Sequence, residues 1–329
     1  MMIHIVGGSG FIGTRLCSRL DRAGVNFTII DKINSRDFPR RAVVGDVRSL
    51  EALRASVLEN SVIVNLAAEH RDDVRPQTLY DEVNVGGARN ICVVAHEKNV
   101  KVIVFTSTVA VYGYAPIGTD ESGQIAPFNN YGRTKYEAEQ VFKGWQAEAP
   151  GERCLVIVRP TVVFGERNRG NVFNLLRQVD SGRFVMVGNG RNRKSIAYVE
   201  NVAAFLEYAT RFKPGVHVYN FIDKPDFTMN SFVGTVYRLL GRSENIGFRV
   251  PYLVGYIVGK AFDIAAAVTG KRFAISAIRV KKFCANSTYG TAIEGTGFSS
   301  PVPLAKALER TIRYEFLESH GEEGVFYSE

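Results

Sequence analysis

Tyr131 and Lys135 stand four residues apart in Tyr-Gly-Arg-Thr-Lys, a spacing that puts both side chains on one helical face. A free tyrosine titrates near 10, too high for a base at neutral pH. A neighbouring ammonium and a positive nicotinamide both favour its phenolate. Lys135 can also hold a ribose. Upstream, Phe105-Thr106-Ser107-Thr108 closes an apolar run, and a hydroxyl there can bond a substrate oxygen under oxidation. Without Tyr131 downstream, a Thr/Ser strand end reads better as a cap or turn. The second chemical element is Gly7-Gly8-Ser9-Gly10-Phe11-Ile12-Gly13, between an apolar strand and a helix. The spacing of Gly7, Gly10 and Gly13 seats a dinucleotide pyrophosphate on the amides that open the helix. A Tyr-Lys pair beside such a site implies proton and hydride chemistry on a carbinol or ketone.

Other positions complete a dinucleotide site. Asp31 closes the next strand, where a carboxylate accepts from the adenosine ribose hydroxyls and favours NAD over NADP. Lys32 pulls weakly the other way. Asp46 and Val47 end the third strand and can meet the adenine edge. Asn65-Leu66-Ala67-Ala68 ends the fourth, where small residues admit close backbone approach. From composition alone, simple packing is the better explanation of the two alanines.

The elements that must position these groups follow from periodicity. Apolar strands are expected at Ile3–Val6, Phe27–Ile30, Ala42–Val44, Val62–Leu66, Val102–Phe105 and Cys154–Val158. Helices are expected at Phe11–Ala23, Leu50–Leu58, Val83–Lys98 and Tyr131–Glu148. This alternation predicts an α/β fold, a Rossmann-type doubly wound parallel sheet with a smaller C-terminal substrate lobe. The dinucleotide domain is expected at 1–160 with a return segment at about 196–222, and the substrate lobe at 161–195 and 223–329.

Residues 250–268 are the most apolar stretch. Lys260 and Asp263 interrupt it, which disfavours a span of the roughly 20 uncharged residues that a bilayer needs. Lys271, Arg272, Arg279, Lys281 and Lys282 follow. Two readings stand: a helix lying on an anionic membrane surface, or a buried lobe helix with a solvated basic face.

The net charge of +8 favours anionic partners. No basic and aromatic residues interleave in a recognised nucleic-acid motif, so no nucleic acid is expected. Cys17, Cys92, Cys154 and Cys284 are scattered, which fits a reducing compartment and argues against a disulfide framework or metal site. The chain runs directly into a strand, so no signal peptide is expected.

The glycine turn, Asp31, Asp46-Val47, Leu66-Ala67-Ala68, Asn84, Thr108-Val-Ala-Val-Tyr-Gly113, Tyr131-xxx-Lys135 and Arg159-Pro160 together resemble the extended short-chain dehydrogenase/reductases, the sugar epimerase and dehydratase group. The resemblance spans nearly the whole chain. It implies tightly held NAD, with Asn84 and Pro160 added to its binding residues, and a catalytic set of Thr108, Tyr131 and Lys135. Ser107 is implied as a neighbour lining the site. The resemblance also implies a homodimer paired through Val83–Lys98 and Tyr131–Glu148.

Ala67–Val74, Phe164–Asn171, Lys194–Val199 and Val280–Ala285 are similar to a subgroup acting on a lipid-linked amino sugar diphosphate, the 4-epimerases of N-acetylglucosaminyl-diphospho-undecaprenol. That implies a peripheral location on the cytoplasmic face of the inner membrane, contact through 250–282, and a role in O-antigen or lipopolysaccharide synthesis. The group often has Asn where Val162 stands, and a diphosphate-gripping Arg where Lys194 stands. A diphosphate without uridine tolerates both changes, since lysine binds phosphate as a point charge. Arg167, Asn168, Arg169 and Asn171, with Lys194, are expected to receive the diphosphate; the alternative is a solvated basic loop. His70 sits beside Glu69, Arg71 and Asp72 near the reaction centre, as a sugar contact or as a hydrogen-bonded loop histidine. Three rival functions stand: a soluble UDP-GlcNAc 4-epimerase, a nucleotide-4-keto-sugar reductase, and a non-catalytic redox sensor.

Overall fold

The computed structural model describes residues 1–71, 74–270, 276–321 and 323–327. Asp72, Lys271 and Arg272 therefore lie outside the described residues.

Seven strands form one parallel sheet: β1 Ile3–Val6, β2 Phe27–Asp31, β3 Ala42–Val44, β4 Val62–Asn65, β5 Val102–Thr106, β6 Cys154–Pro160 and, from late in the chain, β10 Gly215–Phe221. Their order is β10-β6-β5-β4-β1-β2-β3. The order reverses between β1 and β4, and open sheets of this kind bind ligands at that crevice. The buried strands are near-continuous Val, Ile and Leu because helices cover both faces. One face packs α1 Phe11–Arg22 and α7 Val199–Ala209 over Ile5, Val64 and Val156. The other packs α2 Leu50–Ser56, α4 Gly87–Glu97 and α5 Asn130–Ala147 over Ile63, Ile103 and Ile157.

The helix expected from Val83 begins earlier. A single turn, α3 Thr78–Tyr80, runs through a π-helical turn at Asp81–Gly86 into α4. Such wide turns concentrate at functional positions.

The outer lobe has its own core around Phe164, Met186, Phe232 and Leu308. It contains β7 Val162–Phe164, α6 Asn171–Asp180, β8 Met186–Val187, β9 Arg193–Tyr198, β11 Asp223–Thr228, α8 Met229–Leu239, β12 Arg249–Val250, α9 Tyr252–Thr269, α10 Ala277–Cys284 and α11 Leu304–Ile312. β9 lies between antiparallel β11 and parallel β7.

α9 overturns the buried-helix alternative for residues 250–268. Among its residues only Gly255 and Gly259 are buried, whereas Leu253, Ile257, Ile264 and Val268 are 58–82% exposed. At Gly259 a β-carbon would stand 2.6 Å from the Ala277 amide nitrogen, so the absent side chain lets α9 seat directly on α10. By length and composition alone, α9 is apolar enough to cross a membrane. Lys260 and Asp263 still interrupt it, and the Asp263 carboxylate accepts from the Ala277 amide.

Candidate active site

The glycine turn abuts the end of β4. Gly7 has φ +81°, and a β-carbon there would lie 2.5 Å from the Ala67 nitrogen. Gly7 thus brings the β1 and β4 loops together at the crevice, and Ala67 serves that approach. No side chain caps α1 at Gly10, which leaves the amides of the first turn, around Phe11, Ile12 and Gly13, available to an anion. Asp31 accepts from the Ser9 amide at 3.0 Å and the Ile33 amide at 3.2 Å, tying the turn to the end of β2. Leu66 and Ala68 flank Ala67, half-buried at the same edge.

Two buried hydroxyls, Thr106 Oγ1 at the end of β5 and Thr161 Oγ1 just past Pro160, have no protein partner. A buried polar atom without a partner costs free energy. Orphaned hydroxyls beside an uncapped helix and Asp31 fit a bound NAD. Two neighbours are used otherwise. Asp46 is clasped by Arg48, with Nη2 to Oδ2 at 2.7 Å, which holds its carboxyl below the usual range. Val47 is buried against Gly87 of α4.

Asn84 departs from its implied cofactor role. Its Oδ1 accepts from the Glu69 amide at 2.8 Å, and its Nδ2 donates to the Glu69 carbonyl at 3.0 Å and Thr134 Oγ1 at 2.9 Å. The buried amide is consumed in fastening the β4 loop to the catalytic helix. His70, at the end of that fastened loop, is held below its ordinary pKa chiefly by burial. Lys135 also lowers it, while Glu69 and the Ala68 carbonyl oppose the shift.

α5 starts because Asn129 caps it, its side chain accepting from the Gly132 amide at 2.9 Å. That cap places Tyr131 in the first turn and Lys135 one turn on. Thr108 is extended and opens a short 3₁₀ turn, Val109–Tyr112, its hydroxyl accepting from the Ala110 amide. The same side chain hydrogen-bonds the Tyr131 phenol. Burial pushes that phenol up to about 12, and the Thr108 bond only partly opposes it. Burial also brings Lys135 down to about 7, against the pull of Glu139. The Lys135 ammonium lies 4.2 Å above the Phe105 ring. The expected acidification of Tyr131 by Lys135 is therefore not what this chain alone produces: desolvation dominates both groups.

Behind this face runs a buried polar network that residue spacing did not announce. Glu139 accepts from Ser107 Oγ at 2.6 Å and from Arg159 at 2.9 and 2.6 Å. Arg159 also donates to the Tyr112 hydroxyl at 2.7 Å, which donates to Asn220 at 2.8 Å. Ser107 is thus turned into the network rather than toward a substrate. Two signals were available: Glu139 stands one further turn from Lys135, and Arg159 is a charge in an otherwise apolar strand.

The expected diphosphate loop is dispersed. Arg167 has φ +71° and donates to the Gly324 carbonyl at 2.6 Å and Asp37 at 3.2 Å. Arg169 pairs with Glu315 at 2.8 Å. Both secure a C-terminal strap whose Phe326 packs on Phe11 at 5.8 Å. Asn168 is buried and donates to the Val163 carbonyl. Asn171 stands exposed at the start of α6. Of the three cations expected there, Lys194 alone has no carboxylate partner among the described residues; its ammonium donates to the Lys282 carbonyl at 2.7 Å, and burial lowers it to about 8.

Comparison with known proteins agrees with this arrangement. A family model described as the NAD dependent epimerase/dehydratase family matches residues 3–221. The chain is 45% identical over 331 aligned positions, 99% of each protein, to N-acetyl-alpha-D-glucosaminyl-diphospho-ditrans,octacis-undecaprenol 4-epimerase of Escherichia coli O157:H7. It is 30% identical over 213 positions to UDP-glucose 4-epimerase of Vibrio cholerae, covering 61% of this chain and 63% of that one. Among solved structures, UDP-glucose 4-epimerase of Thermotoga maritima superposes with a TM-score of 0.74 at 19% identity, covering 97% and 100% of the two chains.

Proposed function

The chain belongs to the NAD dependent epimerase/dehydratase family, and from that premise we propose that it is a 4-epimerase converting GlcNAc-diphospho-undecaprenol to GalNAc-diphospho-undecaprenol. The full-length likeness to the Escherichia coli enzyme carries this reading. The exposed apolar face of α9 supports it, because a lipid-linked substrate is met at a membrane.

When bound, NAD would supply a reversible hydride acceptor and a positive charge. The first-turn amides of α1, Asp31, Thr106, Thr161 and Lys135 would hold it. Tyr131 takes the proton from the sugar O4, with Thr108 bonded to the phenol, and later returns it. A phenol that burial keeps high is a strong base once ionised and gives its proton up late. Glu139, Arg159 and Asn84 position this set. Between the two hydride transfers the 4-keto sugar must turn over. The sugar itself is therefore held loosely, and the diphosphate beyond it holds the substrate.

On this reading α9 lies on the cytoplasmic face of the inner membrane, and two copies pair through α4 and α5. The product serves O-antigen or lipopolysaccharide assembly. The test is to incubate the NAD-loaded protein separately with GlcNAc-diphospho-undecaprenol and with UDP-GlcNAc, hydrolyse each product, and separate GlcNAc from GalNAc. GalNAc is expected from the lipid-linked substrate. GalNAc from UDP-GlcNAc alone overturns the lipid reading.

A further inference from the structure

With Arg167 and Arg169 committed to the C-terminal strap, the diphosphate needs another receiver. Three cations qualify. Among the described residues no carboxylate lies within ion-pair distance of Lys194, Lys281 or Lys282. They form one cluster: Lys194 donates to the Lys282 carbonyl, Lys281 stands 5.4 Å from the Tyr114 ring centre, and Lys282 stands 5.5 Å from that of Phe128. Tyr114 and Phe128 are exposed and stacked at 4.8 Å. They also tie the cluster to the chemistry. Tyr114 follows the Thr108–Gly113 turn, and Phe128 immediately precedes the Asn129 cap that places Tyr131.

On its other side the cluster opens into a cavity of about 320 Å³. Val187, Gly188, Asn192, Lys281 and Cys284 line it, together with Tyr252, the first residue of α9. That volume lies at the low end of small-molecule sites, about 300–1,000 Å³.

Resting on the epimerase reading, we infer that Lys194, Lys281 and Lys282 grip the substrate's diphosphate, and that its first isoprene units run through this cavity onto the exposed face of α9. Charge and polarity match the occupant in order along the track. Catalytic hydroxyls come first, then three ammonium groups with no carboxylate partner among the described residues, then a cavity with Val187, Gly188 and Cys284 in its wall, then an apolar helix. The depressed Lys194 ammonium is what an anion would restore.

The experiment begins with wild-type protein, NAD and GlcNAc-diphospho-undecaprenol in neutral detergent micelles. Absence of turnover at this step is failure of the epimerase reading itself. With turnover in hand, the double variant Lys281→Ala/Lys282→Ala is expected to raise KM about tenfold or more with kcat within about twofold, the worth of lost charge-assisted bonds. Lys281→Arg/Lys282→Arg is expected to keep most of the affinity. Ala285→Trp, at the cavity wall, is expected to lower the preference for the undecaprenyl substrate over its ethyl diphosphate analogue by about tenfold. An unchanged micellar KM in the alanine variant, with only anionic-vesicle binding reduced, makes the lysines a membrane contact and overturns the grip. An unchanged tail preference in Ala285→Trp overturns the track.

Discussion

α5 and the α9–α10 hairpin handle charge in opposite ways. On α5, Lys135 and Glu139 are buried, and Glu139 meets Arg159 and Ser107 inside the chain. On α10, Lys281 and Lys282 are exposed and meet only aromatic rings, while α9 turns Leu253, Ile264 and Val268 outward. In the first region the buried Glu139 carboxylate is paired inside the chain, as the cost of a buried unpaired charge requires. The second presents cations with no carboxylate partner among the described residues, together with apolar surface. Chemistry and substrate capture are thus built in different ways: one from internal pairing, the other from groups that await something outside the chain.

The contrast breaks most visibly at Tyr131. Tyr131→Phe keeps the buried ring and removes only the titrating group. Turnover is expected to fall about 10²–10⁴-fold, while NAD released on denaturation stays at the wild-type amount. Turnover near wild type would take the proton shuttle away from α5.

Internal pairing is tested next at Glu139 and Arg159. Arg159→Met leaves a buried carboxylate uncompensated and is expected to cost about 3–5 kcal/mol in urea unfolding. Adding Glu139→Gln should recover part of that loss. A cost under 1 kcal/mol for Arg159→Met, on the same scale, would show that the network does not hold the catalytic helix.

On the hairpin, Leu253→Lys/Ile264→Lys is expected to leave stability within about 0.5 kcal/mol, as exposed substitutions do. Co-sedimentation with anionic vesicles should fall about tenfold or more, from two apolar side chains withdrawn from lipid. Lost stability with unchanged sedimentation would mean that protein, not lipid, covers this face.

The remaining test is in pH. Lys135 titrates near 7 in the folded chain and near 10.4 when unfolded. Between those values the unfolded state binds more protons, so the stability of the NAD-free protein rises as pH goes from about 7 to 10. Lys194, near 8, adds a contribution of the same sign over a narrower window. Lys135→Met should remove most of the slope in urea midpoints at pH 7, 8.5 and 10, and Lys194→Met a lesser part. The reverse ranking would place the deeper burial on the hairpin.

Local spacing made one half of the site legible. The glycine turn, Asp31, and the Tyr131 and Lys135 pair are set by short-range geometry, and each stands where an element ends or turns. The central strands of the sheet, β1, β4, β5 and β6, were legible for the same reason, since strands buried on both faces read as continuous apolar runs. Arg167 was not legible, because its partners, Asp37 and Gly324, lie more than a hundred residues away in opposite directions. Ser107 and Asn84 have the right residue types for ligand contacts, but Glu139, Glu69 and Thr134 claim them in the folded chain. Composition marked residues 250–268 as apolar, yet exposure depends on what packs against a helix, and of the described residues of α9 only the two glycines are buried.

The π-helical turn at Asp81–Gly86 has a consequence for how this chain tolerates change in length. A π turn carries one residue more than an α turn, and Asn84 sits inside it. Deleting one residue there would relax the segment into ordinary helix, leaving the flanking turns close to their register but re-aiming the side chains inside it, Asn84 among them. Asn84 would then face away from Glu69 or Thr134, and the loop bearing His70 would lose its fastening to α5. The extra residue works as a spacer, trading local helix quality for the alignment of two loops across the crevice. A shorter helix here would be the better helix and the worse enzyme.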